Sequence, residues 1–236
     1  MKKFLALLLA VIMAASFVGC KETDDTKPSG GTTEGTTEGT TEDTTEDTTE
    51  DTTEGTTEEP SEGISRGTIE GDVYKNEFLG FEFTKPSSWV YSTDEEIAAM
   101  LNIALDSLAN DNFKEALENN PAIYDMMVVD SLTRTNINIV YENLAKSLAT
   151  NITEEQYIAA LKYQLSNMGM NVVFSDNIEK VKLGETEFTK CVCETTSSGV
   201  KMTQVYYLKK TDGYMASVIV TITSGYTVSD IEAMFK

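Results

Sequence analysis

The chain has 236 residues, no histidine, and a formal net charge of −21 from 39 acidic and 18 basic side chains. This charge excludes nucleic acid as a partner, because affinity for phosphate backbones comes from lysine and arginine, and it disfavours docking on an anionic bilayer through a basic face. The lack of histidine excludes Ser-His-Asp and Cys-His nucleophiles and histidine-ligated zinc or haem, and three cysteines provide no framework of paired disulfides.

Residues 1–19 follow the pattern of a bacterial signal peptide. A basic start precedes the apolar run Phe4–Val18, which is too short to cross about 30 Å of hydrocarbon comfortably as a helix. The run leads through Gly19 into Cys20 and resembles the lipobox, although Phe17 replaces the usual leucine. The resemblance implies cleavage before Cys20 and acylation of its thiol with palmitate-type chains. We therefore expect a lipoprotein at the extracellular face of the cell membrane; the alternative is an ordinary secretory signal with a chance cysteine.

Residues 20–66 are predicted to form a lipid-anchored, disordered linker. Seven Thr-Thr-Glu tetrads run from Thr32 to Glu59, and the stretch from Lys21 to Arg66 holds 15 acidic and 3 basic residues. The repeat contains no apolar side chain, so folding it would bury nothing that offsets the lost chain entropy. We interpret it as a spacer. Sugars on its threonines and weak calcium capture stay open as additional roles.

Residues 67–236 form the predicted globular domain, which is long enough to build a self-sufficient core. It opens with a predicted hairpin over Val73–Pro86, in which Phe81 and Phe83 share one face of the second strand. Trp89 follows this hairpin. It is interpreted either as a core residue over the sheet edge or as a platform for a ligand.

Three helices are predicted from capping boxes, in which the cap hydroxyl and the side chain three residues later bond each other's backbone N–H groups. The boxes are Thr93 with Glu96, Thr153 with Gln156, and Ser229 with Glu232. The first helix carries an apolar stripe at helical spacing as far as Leu108. A shorter helical piece ends before Pro121, and the second capped helix ends at Gly169.

Strands fill the remainder of the domain and are separated by glycine-rich and polar turns. The predicted strands are Ile123–Val129, Asn136–Tyr141, Asn171–Phe174, Ile178–Leu183, Thr186–Glu194, Val200–Leu208 and Tyr214–Thr223. The last five form a predicted meander. The fold class is therefore α+β, with helices packed on an antiparallel sheet.

Several short motifs lie along the domain. They are Tyr74-Lys75-Asn76, Gly80-Phe81, Pro86, Trp89, Tyr124–Met127 and Glu142–Leu144. With the element order, they resemble the PsbP-like domains of lipoproteins from Gram-positive, clostridial gut bacteria. The resemblance covers nearly all of residues 72–236. It implies an α/β/α sandwich with an accessory or interaction role, and it supplies no catalytic residues to carry over.

Two sets of side chains are candidates for chemistry. Cys191 and Cys193 share a face of one strand, where they are badly oriented for a mutual disulfide and too few for a zinc site. We interpret them as small buried residues, with a redox or metal role as the alternative. The carboxylates of Asp94–Glu96 stand in the first turn of a helix, where they complement its dipole; paired acid–base work is the alternative.

Four late tyrosines bear on binding. Tyr206 and Tyr207 point to opposite faces of a strand, and Tyr214 and Tyr226 lie nearby in sequence. Cross-strand packing is the first interpretation, and an exposed face for a glycan or peptide is the second.

No metal, cofactor or catalytic site is predicted. The sequence favours a non-catalytic interaction module with an extracytoplasmic protein partner, which predicts exposed aromatic side chains on a sheet face or in a groove. A receptor for a sugar, peptide or lipid fragment is the alternative, and it predicts a closed apolar pocket between helix and sheet. An enzyme comes third, because no catalytic motif is present.

Overall fold

Two antiparallel sheets and the helices packed on them make up the described part of this computed structural model. It describes residues 63–147, 150–168, 170–197, 199–211 and 213–236. The predicted signal peptide, the lipid-attachment site Cys20, the linker as far as Glu62 and the helix stop Gly169 lie outside the described residues.

The smaller sheet has three strands in the order β1 (Thr68–Glu70), β2 (Val73–Asn76) and β3 (Phe81–Thr84). The predicted hairpin of β2 and β3 is confirmed, with Tyr74 opposite Phe83. The sequence did not predict β1, whose three residues are all exposed and therefore show no apolar alternation.

The larger sheet has seven strands in the order β4-β5-β6-β10-β9-β8-β7. They are β4 (Trp89–Tyr91), β5 (Ala122–Asp130), β6 (Asn136–Asn143), β7 (Val172–Leu183), β8 (Thr186–Ser197), β9 (Val200–Thr211) and β10 (Tyr214–Ile222). The predicted meander is confirmed from β7 to β10. One detail is wrong, because the two strands predicted around Phe174 and Ile178 are one strand with an irregularity between those residues.

The helices begin close to the predicted positions. They are α1 (Asp94–Leu101), a 3₁₀ helix (Leu105–Leu108), α2 (Asn110–Asn119), α3 (Glu154–Asn167) and α4 (Val228–Glu232). The capping boxes at Thr93 and Thr153 are both present. The box predicted at Ser229 is wrong by two residues, because Thr227 caps α4 and pairs with Asp230.

The first helix is shorter than its apolar stripe predicted. It ends at Leu101 because Asn102 takes a left-handed conformation with φ of 54°, and its N–H bonds back to the last turn of the helix. Asparagine tolerates this conformation better than most residues do. The remainder of the stripe forms the separate 3₁₀ helix.

Helices lie on both faces of the larger sheet, and two neighbouring residues of β6 show this. Tyr141 meets the ring of Phe113 from α2 with ring centroids 5.7 Å apart, whereas Glu142 accepts a hydrogen bond from Tyr157 of α3. Successive side chains of a strand point to opposite faces, so α2 and α3 pack on opposite sides. This confirms the predicted α+β class with an α/β/α arrangement.

Aromatic rings hold the small sheet and the C-terminal segment together. Phe235 lies 5.2 Å from Phe81 and 5.1 Å from Phe83, measured between ring centroids. Trp89 is only 1% exposed, and its indole N–H donates a 2.9 Å hydrogen bond to the hydroxyl of Tyr226. This burial agrees with the core role predicted for Trp89.

Candidate functional site

An arginine whose side chain is only 9% exposed fixes the first described residues to the domain. The guanidinium of Arg66 donates two hydrogen bonds to the Asp94 carboxylate, at 2.8 and 2.6 Å. It also donates to the backbone carbonyls of Leu108 and Asp125, at 2.8 and 2.9 Å. The fork of two parallel bonds to a carboxylate is the strong geometry for arginine. We name Arg66, Asp94 and Asp125, with the Tyr74 and Asn76 side chains, the Arg66 clasp.

The carboxylate of Asp125 is the buried centre of the clasp. The hydroxyl of Tyr74 donates to it at 2.5 Å, the amide of Asn76 at 2.9 Å and the backbone N–H of Gly67 at 3.1 Å. The Arg66 Nε lies 3.3 Å from the other carboxylate oxygen. Asp125 interrupts the pairing of β5 with β6, which shifts register at this position. A bulge of this kind redirects a side chain out of the regular alternation of a strand.

Burial and hydrogen bonding act in opposite directions on this carboxylate. Burial raises the pKa of Asp125 to about 6, against the lowering effects of the Tyr74 hydrogen bond and the Arg66 charge. The hydrogen bond from Arg66 lowers the pKa of Asp94. Burial also raises the pKa of the Tyr74 hydroxyl well above its ordinary value, so this group stays a hydrogen-bond donor at neutral pH.

The clasp requires a glycine after its arginine. A Cβ atom on Gly67 would lie 2.4 Å from the ring of Tyr74, closer than any real contact of that kind. Ile64 is also buried, at 8% exposure, so the folded part includes residues that the sequence had assigned to the linker. The sequence did not predict roles for Arg66 or Asp125. The visible signal was the acidic Asp125 within the apolar strand Ile123–Val129.

A second buried carboxylate joins β6 to α3. Glu142 accepts hydrogen bonds from Ser147 at 2.5 Å and from Tyr157 at 2.6 Å. Burial raises the pKa of Glu142, and the two hydroxyl donors lower it. Both donors come from the same domain, so the carboxylate connects structural elements rather than facing an open cleft.

The cysteine pair lies inside the domain. Cys191 and Cys193 are free thiols, buried and 0% and 1% exposed. Burial raises the pKa of both thiols, and that of Cys193 to about 12. A thiol of this kind is a poor nucleophile at neutral pH, because the thiolate is the reactive form. Within the residues that the structure describes, no group of three or more cysteine, aspartate or glutamate side chains is arranged to hold a metal ion.

Two of the late tyrosines, Tyr206 and Tyr207, are buried within the domain. Tyr206 and Tyr207 are 2% and 0% exposed, and their hydroxyls donate to Gln204 at 3.1 Å and to Glu232 at 2.9 Å. Among the residues that the structure describes, Tyr163 on α3 is an aromatic side chain that faces solvent, with 73% exposure. Sequence periodicity placed the apolar stripe of α3 correctly but gave no reason to single out this tyrosine.

A polar groove lies beside α2 and the 3₁₀ helix. Its volume is about 300 Å³, at the lower end of the range for ligand pockets. Six polar residues line it: Asp106, Ser107, Asn112, Glu115, Asn119 and Asn120. We name this surface the α2 groove. The side chains of Glu115 and Asn119 are exposed and make no hydrogen bond with the described residues, so they are free to meet a ligand.

No helix in the described part of the chain is both long and apolar enough to cross a membrane.

Comparison with known proteins gives likenesses in solved structures alone. No protein-family model and no curated protein matches the chain. The solution structure of cyanobacterial PsbP from Synechocystis is similar, with a TM-score of 0.41, 12% identity, and coverage of 74% of this chain and 94% of that one. A crystal structure from Bacteroides thetaiotaomicron has a TM-score of 0.34, 13% identity, and coverage of 73% of this chain and 48% of that one, about half its length. PsbP-like domains are the fold family that the sequence motifs and element order resemble.

Proposed function

We propose that this protein is a lipoprotein anchored through Cys20 at the extracellular face of the cell membrane, and that its domain is a non-catalytic interaction or accessory module. The lipobox-like sequence before Cys20 and the acidic repeats after it support the anchor and the spacer. The repeats end at Glu59, and Arg66 of the clasp lies seven residues further along the chain.

The observation that carries the non-catalytic role is how the buried reactive groups are used. Asp125 and Glu142 accept hydrogen bonds from side chains of the same domain, and the thiols of Cys191 and Cys193 have raised pKa values. Groups prepared for catalysis are positioned to meet substrate, with pKa values matched to that work. These groups instead join structural elements or fill the core.

The anchor is tested with two cysteine variants of the full chain. Cells expressing the protein receive a clickable palmitate analogue, and the protein is then separated into membrane and soluble fractions. Cys20→Ala should lose the label and leave the membrane fraction, because acyl chains on this thiol provide the attachment. Cys191→Ala is the matched control, and it should keep the label and stay in the membrane fraction. Equal labelling of the Cys20→Ala variant and the wild type would contradict the anchor.

The interaction role is tested by crosslinking at exposed positions in living cells. A photoreactive residue replaces Tyr163, which is 73% exposed on α3, or Leu132, which is 81% exposed in the turn between β5 and β6. A surface that meets a protein partner should give one discrete adduct from one position and not from the other. No adduct from either position, or the same mixture from both, would contradict a specific partner at these surfaces.

A second candidate function is a receptor for a small hydroxyl-rich ligand, and the α2 groove is the observation that favours it. Carboxylate and amide side chains bind the hydroxyl groups of a saccharide by hydrogen bonds. A saccharide that binds the full chain and is present at a concentration of 100 times its dissociation constant would add about 2.7 kcal/mol to the free energy of unfolding. Asn119→Ala should reduce that gain, whereas Asn110→Ala, outside the groove lining, should not. Equal gains in the two variants would contradict binding in the groove.

A further inference from the structure

We propose that the Arg66 clasp controls proteolytic release of the domain, by shielding the Arg66–Gly67 peptide bond from proteases that cut after basic residues. The proposal rests on the anchored module of the proposed function and adds to it a role for the junction in setting how long the domain stays attached.

Arg66 is the first basic residue after a long stretch without any site for such a protease. Between Lys27 and Arg66 the chain contains no lysine or arginine. Lys27 is followed by Pro28, which lacks an N–H group and restricts the residue before it, so this bond is a poor substrate. Cleavage after Lys21 would leave almost the whole linker on the domain. Cleavage after Arg66 would separate the domain from the linker completely.

The closed clasp keeps this bond out of a protease active site. A trypsin-like protease binds the arginine side chain of its substrate in an acidic pocket of its own. The side chain of Arg66 is only 9% exposed and already pairs with Asp94. The N–H of Gly67 is occupied by Asp125. Both residues must leave these partners before the bond can be cut.

The clasp can open without unfolding the core. β1 lies at the edge of the small sheet, pairs with β2 over three residues and is exposed along its length. Apart from the clasp itself and the buried Ile64, this segment has little buried surface, and such segments open locally at a lower free-energy cost than global unfolding. When opening and closing are fast relative to cleavage, the cleavage rate follows the population of the open form. The strength of the Arg66–Asp94 pair therefore sets the rate of release.

The reaction is a hydrolysis in which water is the second reactant. The bond between the Arg66 carbonyl carbon and the Gly67 nitrogen breaks, and the hydroxyl of water forms the new carboxyl group on Arg66. The proton goes to the nitrogen of Gly67, which becomes the new amino terminus. The protease supplies catalysis and is regenerated, so the domain starts at Gly67 after release.

The test measures the rate of trypsin cleavage in the full chain, with the fragment that begins at Gly67 followed by mass spectrometry. Asp94→Asn removes the charged partner, and Arg66→Lys keeps a trypsin site but loses the two-pronged geometry. Each should be cut at Arg66–Gly67, or at its lysine equivalent, at least about tenfold faster than wild type, since a charge-assisted bidentate pair is lost. Asp72→Asn breaks the Asp72–Lys85 ion pair, which lies outside the clasp. This variant should be cut at Arg66–Gly67 at the wild-type rate.

Two controls separate local opening from other causes. Cleavage by a glutamate-specific protease within the linker repeats should proceed at one rate in all four proteins. Trypsin cleavage at Lys209 and Lys210 in β9 reports global unfolding and should not change. The proposal is overturned if wild type is cut at Arg66–Gly67 as fast as both clasp variants. Parallel acceleration at Lys209 and Lys210 in both variants would overturn it as well.

Discussion

Tyr74 donates a 2.5 Å hydrogen bond to Asp125, a residue 51 positions further along the chain. The bond joins the small sheet to the interior of the large one, and both side chains are at most 1% exposed. A buried carboxylate is stabilised only when its oxygen atoms are hydrogen-bonded. Asp125 meets this condition by drawing Tyr74, Asn76 and the Arg66–Gly67 segment together. The clasp therefore joins the segment around Arg66 to both sheets.

We expect Gly67→Ala to destabilise the domain. The new Cβ atom would lie 2.4 Å from the Tyr74 ring, so the ring or the backbone must move and the bond to Asp125 must weaken. Overpacking of this kind costs about 1–3 kcal/mol in the free energy of unfolding. Urea denaturation measures it. Gly63→Ala is the control, because nothing lies within 4 Å of its Cβ position, and equal stability of the two variants would contradict the prediction.

The cap of α4 gives a prediction that distinguishes the observed capping residue, Thr227, from the one that the sequence predicted, Ser229. Thr227 accepts a 3.2 Å bond from the N–H of Asp230, and the Asp230 side chain accepts a 2.8 Å bond from the N–H of Thr227. Thr227→Ala should therefore cost about 1 kcal/mol of stability. Ser229→Ala removes the hydroxyl that the sequence pattern favoured, and it should cost less than about 0.5 kcal/mol. A reversed ranking in urea denaturation would contradict the observed cap.

These caps show which features could be predicted from the sequence. A capping box links residues three positions apart, so Thr93 and Thr153 could be recognised without a structure. At α4 two boxes fit the same stretch, and local pattern alone could not choose between them. The alternation of apolar and polar residues, together with the turn residues, also predicted the meander from β7 to β10. They could not show that β10 pairs with β6, because that contact depends on the packing of the whole sheet.

The candidate site was less accessible to prediction. Arg66 bonds to residues 28 and 59 positions away, and no local pattern connects such distant partners. Asp125 stood out as an acid in an apolar strand, but its partners come from a different sheet. The α2 groove depends on where the first helix stops, and the left-handed Asn102 decided that against the apolar stripe. The sequence therefore indicated elements and class of fold, and tertiary contacts supplied the site.

The C-terminal segment should contribute strongly to stability. Phe235 packs between Phe81 and Phe83 and is 7% exposed. Truncating a buried phenylalanine removes apolar contacts and leaves a cavity, so Phe235→Ala should cost about 3 kcal/mol or more. Lys236 pairs with Glu82 through backbone atoms, and Lys236→Ala keeps these bonds. Thermal unfolding of both variants tests the prediction, and a similar melting temperature for the two would contradict it.

The last prediction concerns pH and follows from Asp125. Its pKa is raised from 3.8 to about 6 in the folded protein, so the folded state holds this proton more tightly than the unfolded state. The group therefore contributes stability below about pH 4 that is lost as pH rises through about 6. Asp125→Asn lacks this titration, so wild type should lose on the order of 2 kcal/mol relative to the variant over that interval. Asp94, whose pKa is lowered from 3.8, titrates below this interval, so Asp94→Asn should run parallel to wild type between pH 4 and pH 7 and is the control. Urea denaturation between pH 4 and pH 7 measures both differences, and parallel curves for wild type and Asp125→Asn would contradict a raised pKa at the centre of the clasp.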